Sequence, residues 1–177
     1  MKWPAFFSCF GAAILCSSLA TNLRAAAVDA LAYSVSGTAE YAPPQTVDFR
    51  PLKTGQVLAI GCTVRTGDDG TVVLRLTPGS SLEMANDSVL KINDLAFAKA
   101  DGTVTQRKAR LELTSGVVSA MVDPSTPSAT DFKIQTPAGA LVARGTLYTV
   151  IVKKGKTYTQ VDEGKVSAIA TPAGGSI

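Results

Sequence analysis

The sequence predicts an all-β domain built from antiparallel hairpins, and three observations support this fold class. From residue 56 onward, almost every segment is a short run of β-branched residues or of alternating apolar and polar residues. Glycine, aspartate or proline separates these runs, as in hairpin turns. None of the runs combines a helical apolar period with helix caps. We expect a twisted β-solenoid-like or sandwich arrangement, preceded by an N-terminal signal-peptide helix.

The strands are expected where β-branched and aromatic residues alternate with polar ones. The first lies at residues 33–37, before the break at Ala42-Pro43-Pro44. The later strands are expected at residues 56–60, 62–66, 71–76, 81–84, 89–92, 97–99, 108–113, 117–122, 132–135, 147–152, 157–161 and 165–169. Short turns join neighbours in this series, so we expect them to pair antiparallel.

Several turn sequences define the hairpins. Pro78-Gly79 fits a type II turn, because proline fixes one φ and glycine takes the positive φ that follows. Asp101-Gly102 fits a tight type I′ turn. Thr114-Ser115-Gly116 and Lys153-Lys154-Gly155 each place a glycine last in a short loop. The lysines of this last turn are expected to be solvated and to discourage aggregation at a sheet edge.

A weak internal repeat accompanies these turns. Turn glycines occur at positions 55, 79, 116, 139 and 164, and most intervals become similar if residues 99–107 are treated as an inserted polar hairpin. Such spacing is typical of stacked rungs. Hairpins of similar length also recur in any antiparallel domain, so both explanations stay open.

The first 27 residues have the organisation of a secretory signal peptide. Lys2 supplies a positive start, and an uncharged, largely apolar run follows at residues 3–23. Cleavage is expected after Ala27, with a cut after Ala20 as the second choice. The alternative is an uncleaved membrane anchor, since the run is about long enough to cross a bilayer.

The remaining chain is expected to be an exported β-domain at residues 28–170, followed by a flexible tail at residues 171–177. The predicted location is the periplasm or the extracellular medium, with no membrane span left after cleavage. Removing residues 1–27 leaves 15 basic and 14 acidic residues, a net charge of +1, so nucleic acid is not expected as a partner. Cys62 is then the single cysteine, and we expect it to be buried, with an intermolecular disulfide as the alternative.

The residue types present restrict the possible chemistry. The chain contains no histidine, which excludes Ser-His-Asp and Cys-His nucleophile systems and the common zinc sites. The acidic residues lie mostly in turns and lack the spacing of a calcium loop, so turn formation explains them better than a pair of catalytic carboxylates does. We therefore expect neither an enzyme nor a bound cofactor or metal. The phenylalanines 49, 97 and 132 and Tyr148 lie in strand patterns that predict core positions rather than a sugar-binding surface.

Residues 132–150 hold an arginine inside an otherwise small and apolar segment. Arg144 keeps its charge, so it must either collect carbonyl and carboxylate partners or face water and a ligand. Gly145 beside it permits close approach of another backbone segment. We favour a structural role for Arg144 over ligand contact, and expect its replacement by alanine to destabilise the domain.

The order of motifs from Val35 to Val166 resembles the FecR domain. The segments that carry the resemblance are Phe49-Arg50-Pro51-Leu52, Gly55-Gln56-Val57-Leu58, Gly61-Cys62-Thr63-Val64-Arg65-Thr66, Gly79-Ser80-Ser81-Leu82, Leu113-Thr114-Ser115-Gly116-Val117-Val118, Phe132-Lys133-Ile134-Gln135-Thr136-Pro137, Ala143-Arg144-Gly145-Thr146-Leu147-Tyr148 and Val161-Asp162-Glu163-Gly164-Lys165-Val166. The motif residues are identified as Thr136, Pro137, Arg144, Gly145, Thr146, Glu163 and Gly164, and we expect them to be structural.

The resemblance implies a β-domain outside the cytoplasm. The expected function is that of a protein-binding or signalling-accessory module of the bacterial envelope, with an envelope or secreted protein as its partner. Two alternatives are a small-ligand or glycan-binding module, and a membrane-anchored regulator of a sigma-factor pathway if the N-terminus stays uncleaved. The sequence does not define an oligomeric state.

Overall fold

The chain folds into an antiparallel β-structure in a computed structural model that describes residues 25–170; the predicted signal-peptide run at residues 3–23 and the tail at residues 171–177 lie outside the described residues. The first eight strands are β1 (Ala26–Ala27), β2 (Ala30–Ser36), β3 (Ala39–Ala42), β4 (Arg50–Pro51), β5 (Val57–Leu58), β6 (Thr63–Thr66), β7 (Thr71–Thr77) and β8 (Ser80–Met84). The next seven are β9 (Val89–Ala100), β10 (Thr103–Val122), β11 (Thr130–Thr136), β12 (Gly139–Ala143), β13 (Leu147–Lys153), β14 (Lys156–Glu163) and β15 (Val166–Ala170). A short 3₁₀ helix at Pro127–Ala129 precedes β11.

Two sheets share the long strand β10 and curl into a half-barrel. The first sheet has the order β4-β3-β6-β9-β10-β11-β12-β15, with β1 also pairing with β9. The second sheet has the order β5-β2-β7-β8-β10-β13-β14. The predicted all-β class is confirmed, whereas a solenoid of stacked rungs is not.

The expected antiparallel pairing of sequence neighbours holds for β7 with β8, β9 with β10 and β13 with β14. It is wrong for β5 with β6, β6 with β7, β8 with β9 and β14 with β15, which pair with other strands instead. Strand β11 lies parallel to β10, with Arg107 opposite Thr130 and Glu112 opposite Gln135. The chain reaches this position through the connection that contains the 3₁₀ helix, which is longer than a hairpin turn. The short strands β1, β3, β4 and β12 were not expected from the sequence.

Strand β1 lies inside the predicted signal peptide. Ala26 and Ala27 pair with Phe97 and Ala96 of β9, so the described β-structure begins two residues before the expected boundary at residue 28. Cleavage after Ala27 would remove this pairing, and cleavage after Ala20 would keep it.

One core fills the space between the two sheets. Phe132 from the first sheet and Tyr148 from the second are both fully buried, and their rings meet edge to face with centroids 6.4 Å apart. Their predicted core positions are confirmed, but Phe49 and Phe97 are only half-buried. Cys62 is buried as expected, and this burial raises the pKa of its thiol.

Strand β10 changes sheets at a bulge rather than ending there. The predicted turn at Thr114-Ser115-Gly116 is wrong, because β10 runs from Thr103 to Val122 and only its partners change. Gly116 has a φ of +95°, and a Cβ added there would lie 2.2 Å from the Ser88 hydroxyl oxygen. That hydroxyl accepts a hydrogen bond from the backbone N–H of Val117 at 2.9 Å. Glycine is therefore required where the strand bends between the sheets.

Arg107 on β10 is the buried arginine of the fold, with only 2% of its surface exposed. Its Nε donates to the carbonyl of Pro78 at 2.8 Å, and its Nη2 donates to the Asp123 carboxylate at 3.2 Å. Its Nη1 donates to the Asp123 carbonyl and to the hydroxyls of Thr126 and Thr130 at 3.3–3.4 Å. One side chain thus ties the β7–β8 turn and the connection to β11 onto β10.

Replacing Arg107 by alanine is expected to lower the free energy of unfolding by about 3 kcal/mol, because carbonyl and carboxylate acceptors would lose their buried donors. Arg144→Ala is the matched control: its exposed side chain makes no hydrogen bond or ion pair with residues 25–170, so we now expect a change below about 0.5 kcal/mol. Urea denaturation of both variants measures the difference. Equal losses would contradict the assignment of the structural role to Arg107.

Replacing Gly116 by alanine is expected to cost about 3 kcal/mol of stability, from the left-handed backbone together with the clash against Ser88. Gly102→Ala separates these two contributions. Gly102 has a φ of +78°, but a Cβ there would have open space around it, so we expect a loss of about 1 kcal/mol. Thermal denaturation compares the two variants, and a Gly116→Ala protein as stable as Gly102→Ala would contradict a steric requirement at the bulge.

Candidate functional site

The candidate site is a groove on the outer face of the second sheet. A row of side chains at matching register positions crosses five strands of this face: Arg75 of β7, Ser81 of β8, Met121 of β10, Leu147 of β13 and Glu163 of β14. The cavity along this row has a volume of about 610 Å³. Its remaining walls include Tyr33 of β2, the turn at Gly79 and the segment at Asp123-Pro124.

Three apolar or aromatic side chains of the groove face solvent. Met121 is 59% exposed, Tyr33 is 55% exposed and Leu147 is 41% exposed. The residues next to Met121 and Leu147 on their strands, Ala120 and Tyr148, point to the opposite face of the sheet and are fully buried in the core. The outer face therefore carries an apolar surface that the folding of this chain does not cover.

Charges of opposite sign mark the two ends of the row. The Arg75 guanidinium lies 4.6 Å from the centroid of the Tyr33 ring, a cation–π arrangement that holds both side chains in place. Glu163 is exposed at the other end. Four strand spacings separate these positions, about 19 Å measured along the sheet. A bound molecule of complementary charge would thus have one permitted orientation.

Asp123 lies where the groove meets the Arg107 network. Its carboxylate accepts a hydrogen bond from the backbone N–H of Ser125 at 2.9 Å and a second from Arg107. The Ser125 hydrogen bond, and secondarily the positive charge of Arg107, hold the pKa of Asp123 below its usual value. Asp123 therefore stays ionised at neutral pH as a fixed part of the wall.

Four of the predicted motif residues meet at one end of the groove. Thr146 exchanges two backbone hydrogen bonds of 3.0 Å with Val122, and its hydroxyl donates to the Lys165 carbonyl at 3.1 Å. A Cβ on Gly164 would lie 2.6 Å from the Gly145 carbonyl oxygen, and one on Gly145 would lie 2.4 Å from the Pro124 Cα. Gly145, Thr146 and Gly164 thus bring β13, the residues after β14 and the segment after β10 together, and Glu163 lies beside them opposite Leu147. The structural role of these four residues stays a prediction.

The other three motif residues lie elsewhere. The Thr136 hydroxyl donates to the Gly139 carbonyl at 3.0 Å and accepts from the Thr157 hydroxyl at 2.8 Å, beside a smaller cavity of about 230 Å³. Pro137 is exposed in the adjoining turn between β11 and β12. Arg144 is exposed in the loop before β13. The contacts that were expected of Arg144 are made by Arg107.

The groove residues Tyr33, Arg75, Met121 and Leu147 were not predicted as a site. For Met121 and Leu147, the alternation of buried and exposed positions along the strand could have indicated the site. Val118, Ala120 and Val122 are buried at every second position, so Met121 is an apolar residue on the solvent phase. Leu147 likewise stands opposite in phase to Tyr148, Val150 and Val152. Apolar residues on the solvent phase of a strand indicate a surface that binds something.

The groove offers apolar contact, one guanidinium and exposed carboxylate. Within residues 25–170, no group of three or more Cys, Asp or Glu side chains lies close enough together to hold a metal ion. The buried Tyr148 hydroxyl faces the core rather than the groove and finds no hydrogen-bond partner among the described residues, and burial raises its pKa. The groove can therefore recognise a ligand by shape, apolar contact and charge.

Comparison with known proteins adds a family. The family model described as FecR protein matches residues 62–167, which is more than half of the 177 residues. The match covers β6 to β14 and the first two residues of β15, and it includes all seven motif residues. No curated protein and no solved structure matches the chain. No helix within residues 25–170 is long and apolar enough to span a membrane. The confirmed resemblance shows that the chain belongs to the FecR family.

Proposed function

We propose that this chain is a non-enzymatic protein-binding module of the bacterial envelope, and that it takes a segment of its partner in the groove of the second sheet. One observation carries the proposal: the exposed Met121, Leu147 and Tyr33 lie together in a concave surface with Arg75 and Glu163 at its ends. Membership of the FecR family, whose members include signalling regulators of the envelope, supports a binding function.

The shape and charge of the groove favour a polypeptide. Its row crosses five strands, a length that suits an extended segment of several residues. Met121 and Leu147 supply a central apolar surface, and the charges stand at the rim, as is usual in protein interfaces. The expected partner segment carries an apolar side chain at its centre, an acidic residue towards Arg75 and a basic residue towards Glu163.

A glycan is the second candidate ligand, since a cavity of about 610 Å³ lies within the usual range for small-molecule sites. Sugars are held by the open faces of aromatic rings. Tyr33 is the aromatic residue of the groove, and Arg75 covers one face of its ring. This arrangement favours a protein over a glycan.

Export is the second part of the proposal. Lys2 and the uncharged run at residues 3–23 support a signal peptide, and the pairing of β1 with β9 supports cleavage after Ala20 rather than Ala27. The domain would then act in the periplasm or outside the cell.

Substitution of the groove residues tests the binding proposal. Partners are first captured in native cells with a photo-crosslinking amino acid at position 121, and the adduct is identified by mass spectrometry. Met121→Glu and Leu147→Glu are each expected to weaken binding of the purified partner at least about tenfold, because a charge replaces a central apolar contact. Isothermal titration calorimetry measures the affinities.

Val47→Glu is the matched control, because Val47 is 87% exposed and does not line the groove. It is expected to bind the partner as the parent chain does. Crosslinking at position 47 equal to that at position 121 would contradict the location of the site. Binding of glycans alone on an array would contradict the class of ligand.

The mass of the protein isolated from native cells tests export. We expect a chain that begins at Thr21, because this product keeps β1. A chain that begins at Val28 would support export but contradict the choice of cleavage site. A protein that retains Met1 in the membrane fraction would contradict cleavage and favour the membrane-anchored alternative.

A further inference from the structure

Strand β14 forms an open edge of the second sheet. It pairs with β13 on one side, and no described strand pairs with its other side. Seven of its eight residues are exposed. It is also the longest of the edge strands, since β15 has five residues and both β4 and β5 have two. A long unpaired strand is a template for pairing with another chain.

The turn before β14 determines which backbone groups face outward. Lys154 and Gly155 have φ values of 50° and 72°, so the β13–β14 hairpin has a two-residue type I′ turn closed by the pair Lys153 and Lys156. Alternation along the ladder then directs the N–H and C=O groups of Lys156, Tyr158 and Gln160 towards β13. The same groups of Thr157, Thr159 and Val161 point outward.

The outward groups permit only certain registers with a second copy. In an antiparallel ladder, outward-facing residues must lie opposite outward-facing residues. Two permitted registers pair seven residues of β14 each, one with Gln160 and the other with Thr159 on the two-fold axis. The Thr159 register places Thr157 opposite Val161. It also places Lys156 opposite Asp162 twice, once on each side of the axis.

Charge complements this register. The lysines at positions 153, 154 and 156 lie at one end of β14, and Asp162 and Glu163 lie at the other. Antiparallel pairing of two copies brings each basic end against an acidic end, whereas parallel pairing would bring like charges together. Between the ends, the run Thr157-Tyr158-Thr159-Gln160-Val161 contains residues that favour strands and no proline or charge. β15 has no charged residue to define a register.

We propose that two copies of this chain form a homodimer by antiparallel pairing of their β14 edges, with Thr159 on the two-fold axis. The interface is isologous, because the same strand serves in both copies. The lysines at one end of β14, which discourage nonspecific pairing of this edge, favour the single antiparallel arrangement in which they meet the acidic end of the second copy. This inference does not depend on the proposed function, since the central apolar residues of the groove, Met121 and Leu147, lie on β10 and β13.

Charge exchange tests the dimer in the purified full chain. Sedimentation equilibrium is expected to show a dimer for the parent. Lys156→Glu and Asp162→Lys should each weaken dimerisation about tenfold or more, because each change creates two repulsive contacts across the axis. The double variant restores opposite charges and should recover most of the affinity. A monomeric parent at high micromolar concentration, or a double variant no better than the singles, would overturn the proposal.

Cysteine substitution tests the register and does not depend on affinity. Thr159→Cys places two thiols on residues whose Cα atoms would be about 5.5 Å apart, within the range of a disulfide. Thr157→Cys is the matched control on the same strand and face, where the two copies would be roughly 15 Å apart. Mild oxidation should yield covalent dimers of Thr159→Cys only. Equal crosslinking of both variants, or of the control alone, would overturn this register.

Circular dichroism and thermal denaturation establish that each variant is folded. Met121→Glu should dimerise as the parent does, and Thr159→Cys should bind a partner in the groove as the parent does. Failure of the dimer and failure of the proposed function are thereby distinguished.

Discussion

The fold depends on a buried positive charge that has to be satisfied. Arg107 keeps its charge inside the protein, and desolvation of that charge is tolerable only if nearly all its donors find acceptors. The acceptors come from the β7–β8 turn and from the connection between β10 and β11. Neither segment belongs to a regular ladder at these positions, so the network replaces ladder hydrogen bonds as the force that orders them.

The same network shapes the candidate site. Gly79 and the segment at Asp123-Pro124 form part of the groove wall, and Arg107 holds both segments from behind. On the other side, Thr146 and Gly164 join β13 to β14 and fix the position of Glu163. The apolar row on the sheet is rigid because it stands on paired strands. A preorganised surface of this kind loses little conformational entropy when a partner binds.

The sequence was informative where structure is local. Alternation and turn residues predicted most strands and the Asp101-Gly102 hairpin, whose two residues both have positive φ. Long-range relations were not accessible. Gly116 looked like a turn because a bulge and a turn both require a positive φ, and only the partners of β10 distinguish them. Arg107 looked like part of a polar hairpin, although the buried phase of Ala109, Leu111 and Leu113 extends back to it. The parallel position of β11 depends on packing that no turn sequence encodes.

The bulge at the end of β14 relates the two proposed surfaces. The register between β13 and β14 shifts by one residue there, so that Asp162 and Glu163 together face Leu147. Glu163 thereby lines the groove, while Asp162 stands at the end of the open edge. Antiparallel pairing of two β14 edges places the two-fold axis perpendicular to the sheet, so both outer faces point in the same direction. A dimer would present two grooves to one surface, and a partner with repeated segments, or one held in an array, would bind by avidity rather than by the affinity of one groove.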